Sequence, residues 1–183
     1  MAAGLAALKI LVIDDNAQMR SILGTVLVAA GVGKLHYAAD GRQGLRALAE
    51  FKPDLCYVDY EMPVMNGLDF LSAVRALPGE DRFMPVIMLT GHSDMPRLNG
   101  ARDRGVTEFL TKPVTARTIL TRLNAVIVRP RPFASCASYF GPDRRRRDAV
   151  NYDGPRRRLA DTPPARPPRP RLLPADGQDV LEI

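Results

Sequence analysis

Five short apolar runs lie between residues 8 and 128, each followed by a longer stretch in which apolar side chains return every three or four positions. The runs are Leu8–Ile13, Leu35–Ala39, Asp54–Val58, Val86–Leu89 and Val106–Leu110. They are too short for buried helices and rich in Val, Ile and Leu, which predicts strands covered on both faces. The stretches near Ala17–Ala30, Gly41–Phe51, Gly67–Leu77, Met95–Arg104 and Thr115–Val128 predict the covering helices. Alternation of this kind predicts an α/β fold, a (βα)5 doubly wound parallel sheet of the flavodoxin-like type.

The composition changes abruptly after residue 128. Residues 129–183 contain twelve arginines, no lysine, seven acids and ten of the sixteen prolines, so they carry +5 of the net charge of +6. Such a segment offers little apolar surface to offset the entropy of ordering it. The expected organisation is a domain over 1–128, a linker over 129–136, an arginine-rich segment over 137–161 and a disordered Pro-rich tail over 162–183. Cys56 and Cys136 form neither a metal nor a disulfide pattern. Met1–Asp14 lacks a basic segment ahead of its hydrophobic run, and no stretch approaches a membrane span, so a cytoplasmic protein without membrane contact is expected.

In a doubly wound sheet, chemistry gathers beyond the carboxyl ends of the strands. Asp14 and Asp15 follow the first strand, Asp59 ends the third, Thr90 ends the fourth, and Lys112-Pro113 follows the fifth. Three carboxylates meeting at one edge would repel each other and call for a cation. Oxygen ligands from Asp15 and Asp59 suit Mg2+, which binds through one or two carboxylates and keeps several waters. Lys112 adds a second positive charge. His36 and His92 have no partner at metal-ligand spacing.

The segments KILVIDDNAQMRSIL, VDYEMPVMNG, MLTGHS and EFLTKP resemble, in order, the signatures of CheY-like response-regulator receivers. The resemblance spans 5–128 and implies a signalling switch, not an enzyme. It implies that Asp59 accepts a phosphoryl group from a histidine kinase, that Asp14 and Asp15 join it in holding Mg2+, and that Thr90 and Lys112 contact the phosphoryl oxygens. Phe109 matches the switch aromatic, and Pro113 the proline that follows a cis peptide. Glu61, two residues beyond Asp59, is an extra acid expected to compete for Mg2+ or to pair with Lys112.

The arginine-rich segment contains a tandem repeat. Tyr139 to Asp148 and Tyr152 to Asp161 share Y-x-G-P-x-R-R-x-x-D at an offset of thirteen residues. Gly-Pro predicts a turn that delivers the arginines, and the tyrosines offer flat faces for stacking. An arginine can bond bidentately to guanine O6 and N7, while a carboxylate accepts from the opposite edge of the base. Arg145 with Asp148, and Arg158 with Asp161, could thus each read one guanine, leaving Arg144 and Arg157 for phosphate or stacking.

Guanines and phosphates related by symmetry describe cyclic di-GMP, possible here as a stacked dimer, and R-x-x-D resembles the inhibitory-site motif of diguanylate cyclases. A receiver followed by such a segment resembles the Cle family of cyclic di-GMP effectors, which implies contact with the flagellar motor switch. The alternative is a phosphorylation-controlled receiver whose basic tail binds RNA, DNA or an acidic partner. Asp143, Asp148 and Asp161 argue against it, because binding by counterion release loses from every carboxylate.

Overall fold

The computed structural model describes residues 3–91, 100–136 and 139–143. After a helical turn at Ala3–Ala6, five strands follow, β1 (Lys9–Ile13), β2 (Lys34–Ala38), β3 (Leu55–Asp59), β4 (Val86–Thr90) and β5 (Glu108–Thr111). Between and after them lie α1 (Ala17–Ala29), α2 (Gly41–Phe51), α3 (Gly67–Ala76), α4, described over residues 100–103, and α5 (Ala116–Val128). All five strands are parallel, in the order β2-β1-β3-β4-β5. The strand order reverses between β1 and β3, which places the crevice for chemistry beyond Ile13 and Asp59.

Successive side chains of a strand point to opposite faces, and the core divides accordingly. Ile10, Val12, Leu55, Tyr57, Ile87 and Leu89 pack with Leu23, Leu27, Ile119 and Leu123 of α1 and α5. Leu11, Ile13, Cys56, Val58, Val86 and Met88 pack on the other face with Ala47 and Leu48 of α2, Phe70 and Val74 of α3, and Ala101 of α4. Burial on both faces explains why these strands read as unbroken apolar runs.

Capping fixes where the helices start. Asn16, Asp40 and Asn66 each accept backbone N–H groups of the first turn of α1, α2 and α3, and Thr115 forms a capping box with Thr118 at α5. Each such cap contributes about 1 kcal/mol. The expected strands and helices agree with the observed ones within a residue or two, and residues 95–99 of the fourth expected helix lie outside the described residues.

Part of the segment expected as a linker has regular structure. Phe133–Cys136 is a strand, β6, paired antiparallel with β7, Tyr139–Pro142. This hairpin packs on the receiver-like domain. Phe133 is buried, and its ring meets Phe83 at 5.2 Å and Phe140 at 5.5 Å between centroids, while Phe83 and Phe140 lie 5.3 Å apart. Arg75 lies over Phe133 and Arg82 over Phe140, at 5.0 and 3.7 Å from the ring centroids. Three aromatics and two stacked guanidiniums supply what the composition of 129–136 did not suggest. The segment expected over 137–161 therefore includes a paired strand, β7.

Candidate functional site

The strand ends bring the acids together. Asp14 and Asp59 are buried, Asp15 is exposed, and one carboxylate oxygen from each lies within 4.8 Å of the others. Lys112 Nζ sits 2.9 Å from Asp59 Oδ1 and 3.3 Å from Asp14 Oδ2. The loop that carries Lys112 is held by its own N–H, which donates to the Thr90 carbonyl at 2.8 Å. The Lys112-Pro113 peptide is cis.

Backbone and side-chain bonds orient each acid. Asp14 Oδ1 accepts from the Asn16 N–H at 2.9 Å, and Asp59 Oδ1 from the Tyr60 N–H at 2.9 Å. Arg20, one turn into α1, donates to the carbonyls of Asp14 and Asp15 at 2.7 and 3.1 Å, a tether that the sequence reading missed. Gly67 opens α3 against the Asp59 carbonyl: a Cβ there would lie 2.2 Å from that oxygen. Close approach of the two backbones explains the glycine.

Burial pushes the Asp59 carboxyl above its ordinary pKa, Lys112 opposes this by hydrogen bond and charge, and Asp14 adds to it. Burial alone would lower Lys112, but the bonds and charges of Asp59 and Asp14 outweigh it and hold the ammonium above its usual value. Three carboxylates against one ammonium leave two negative charges at a sheet edge, facing outward through exposed Asp15. A hard dication with oxygen ligands fits that donor set.

Thr90 is buried at the end of β4, and Phe109 is half-buried against the α2, α3 and α4 side of the core. Glu61 is exposed and lines a groove with Asp15, Tyr60, Met62, Pro63, Asn66 and Leu68, while Lys112 pairs with Asp14 and Asp59. Of the expected ligand-reading residues, Tyr139 is half-buried in β7, and its hydroxyl donates to the Pro142 carbonyl at 2.7 Å. Arg144, Arg145, Asp148, Tyr152, Arg157, Arg158 and Asp161 lie outside the described residues.

A sheet ordered β2-β1-β3-β4-β5 with acids and a lysine at its carboxyl edge defines the class, a receiver domain of the CheY-like fold. Residues 10–124 match the response regulator receiver domain family, and the chain belongs to that family. It is 33% identical over 122 residues to the chemotaxis protein CheY-3 of Vibrio cholerae, covering 67% of this chain and 93% of that protein. The probable chemotaxis protein CheY of Rhizobium etli is 32% identical, over 65% of this chain and 92% of its own. Among solved structures, CheY4 of Vibrio cholerae superposes with a TM-score of 0.61 at 33% identity, over 65% of this chain and 98% of that one. The chain is thus a CheY-like receiver of two-component signalling. Receiver domains generally bind Mg2+ and work with histidine kinases. Among the described residues no helix is long and apolar enough to cross a membrane.

Proposed function

We propose that this chain is a cytoplasmic response regulator with two inputs: phosphorylation at Asp59, and cyclic di-GMP bound by the arginine-rich segment 137–161. Its output is contact with a partner protein, the flagellar motor switch. The observation that carries the receiver half is the Lys112 ammonium bonded to Asp59 and Asp14 at once, beside Asp15. An Asp59 carboxylate oxygen attacks the phosphorus of a phosphohistidine, and the bond from phosphorus to the imidazole nitrogen breaks. Lys112 then pairs with the phosphoryl group, and the Thr90 hydroxyl donates to one of its oxygens. Asp14, Asp15 and Asp59 would hold Mg2+, which supplies positive charge against the phosphoryl oxygens.

The ligand half rests on the tandem repeat, in which a cation and a carboxylate recur at fixed spacing as guanine reading demands. The resemblance to cyclic di-GMP effectors and the chemotaxis relatives support a motor-switch partner. Beryllofluoride should bind the full chain in a Mg2+-dependent way and Asp59→Asn should abolish it. A wild type with no Mg2+-linked spectral change would show that the acidic site does not accept a phosphoryl group.

For the second input, calorimetric titration at fixed salt should show Arg145→Ala or Arg158→Ala binding cyclic di-GMP about tenfold more weakly. Asp148→Ala and Asp161→Ala should also weaken binding although each makes the tail more positive. Equal or tighter binding by both Asp variants would overturn guanine reading in favour of a phosphate-driven basic tail that would also take RNA or DNA. Capture of motor-switch components, with and without cyclic di-GMP, tests the output; no capture in either arm would sink it.

A further inference from the structure

The β6–β7 hairpin raises a question about the two repeats, which look equivalent in sequence. In the first, every element of Y-x-G-P has a structural task. The Tyr139 hydroxyl bonds the Pro142 carbonyl, and its ring closes over Gly141, where a Cβ would lie 2.6 Å from Tyr139 Oη and 2.9 Å from Cζ. Gly141 also abuts Gly105, at 2.4 Å from its Cα to such a Cβ. Phe140 fills the space between Phe83, Phe133 and the Arg82 guanidinium. The chain is then clamped where it leaves the hairpin. Asp143 N–H donates to the Pro132 carbonyl at 2.7 Å, and Arg131 donates to the Asp143 carbonyl through Nε and Nη2 and to the Thr107 carbonyl through Nη1 at 3.2 Å.

We infer that the hairpin is a mount that fixes the first repeat on the receiver through Phe140, with Tyr139 as a positioning residue that does not stack on a base. The inference rests on reading segment 137–161 as the cyclic di-GMP site, and it changes that reading. Docking of 133–143 fixes the point from which Arg144 and Arg145 depart, so part of the ordering cost is met before a ligand arrives. The second repeat differs in sequence at the anchoring position. Asp153 stands where the first repeat has Phe140, and a carboxylate cannot fill an aromatic pocket without losing its hydration. On this reading the two halves are unequal: the first starts from a fixed point at Asp143, and Tyr152 is the tyrosine left for stacking.

The test uses the full chain, hydrogen exchange and titration with cyclic di-GMP at fixed salt. Wild-type amides of 133–142 should be protected, and Phe140→Ala should remove that protection and weaken the ligand about five-fold. Mg2+-dependent beryllofluoride binding should stay within about two-fold of wild type, because sites with no shared partner act independently, and it also reports that the receiver remains folded. Should Phe140→Ala lose that too, Arg82→Ala, which removes only the stacked cation, takes its place with the same expectations. Tyr139→Phe keeps the ring and loses the hydroxyl bond: weaker ligand binding supports positioning, and unchanged binding supports base stacking and overturns the assignment. Unprotected wild-type amides would overturn the mount, as would a released hairpin with unchanged affinity. If the wild type binds no cyclic di-GMP, the ligand reading and the mount's purpose fall together, while retained protection would still establish the docking.

Discussion

Lys112 shows how much a single side chain can be asked to do at a strand end. Its ammonium, just past β5, bonds two acids at the ends of the neighbouring strands β1 and β3, and both bonds converge because parallel strands end at one edge. That is why Asp14, Asp15, Asp59, Thr90 and Lys112 were legible in the sequence: position at a strand's carboxyl end is enough to assemble them. Val64 was not legible. It adopts φ +68° in the loop after β3 and is 74% exposed, although a β-branched side chain resists left-handed backbone and nothing in its chemistry signals that geometry. Replacing it by Asn or Gly should raise unfolding stability by about 1 kcal/mol, measured by denaturant titration. A Val64→Asn variant no more stable than wild type would show that the loop relaxes the strain elsewhere.

At the scale of elements, the hairpin and the end of α3 depend on Arg75. This arginine is nine-tenths buried, and burial pushes its guanidinium pKa down to about 10. It donates to the carbonyls of Gly105, Arg82 and Met84, all within 3.0 Å, and its guanidinium lies over the Phe133 ring. One planar fork thus joins α3, the turn at Asp81–Phe83, the turn before β5, and β6. Arg75→Met would leave those carbonyls without their donor and should cost about 3 kcal/mol or more in a thermal or denaturant unfolding measurement. Arg75→Lys should recover little of it, since an ammonium cannot span the fork. The five strands and their helices were readable from periodicity, but β6 and β7 were not. Four-residue strands in a proline- and arginine-rich background show almost no period, and their stability comes from Phe83, Arg75 and Arg82, some fifty residues upstream.

For the whole molecule, the acidic cluster and the hairpin occupy opposite ends of the sheet. The acids sit beyond the carboxyl ends of β1 and β3, while the hairpin touches Gly105 and Thr107, just ahead of β5. Strands of four or five residues at ~3.3 Å per residue keep these ends about 15 Å apart. Sites so separated, with no shared side chain, usually act additively. Cyclic di-GMP affinity should therefore change less than about threefold when beryllofluoride and Mg2+ are added, and a larger change in paired titrations would reveal a path through β5. The contact of Gly105 with Gly141 gives this layout a genetic consequence. Gly105 has φ +82°, so a side chain there strains its own backbone, whereas a methyl group at 141 only wedges the two segments apart. Under the proposed two-input reading, a strain carrying Gly141→Ala would still answer its kinase while needing about five-fold more nucleotide, and so would pull apart in a living cell two messages addressed to one polypeptide.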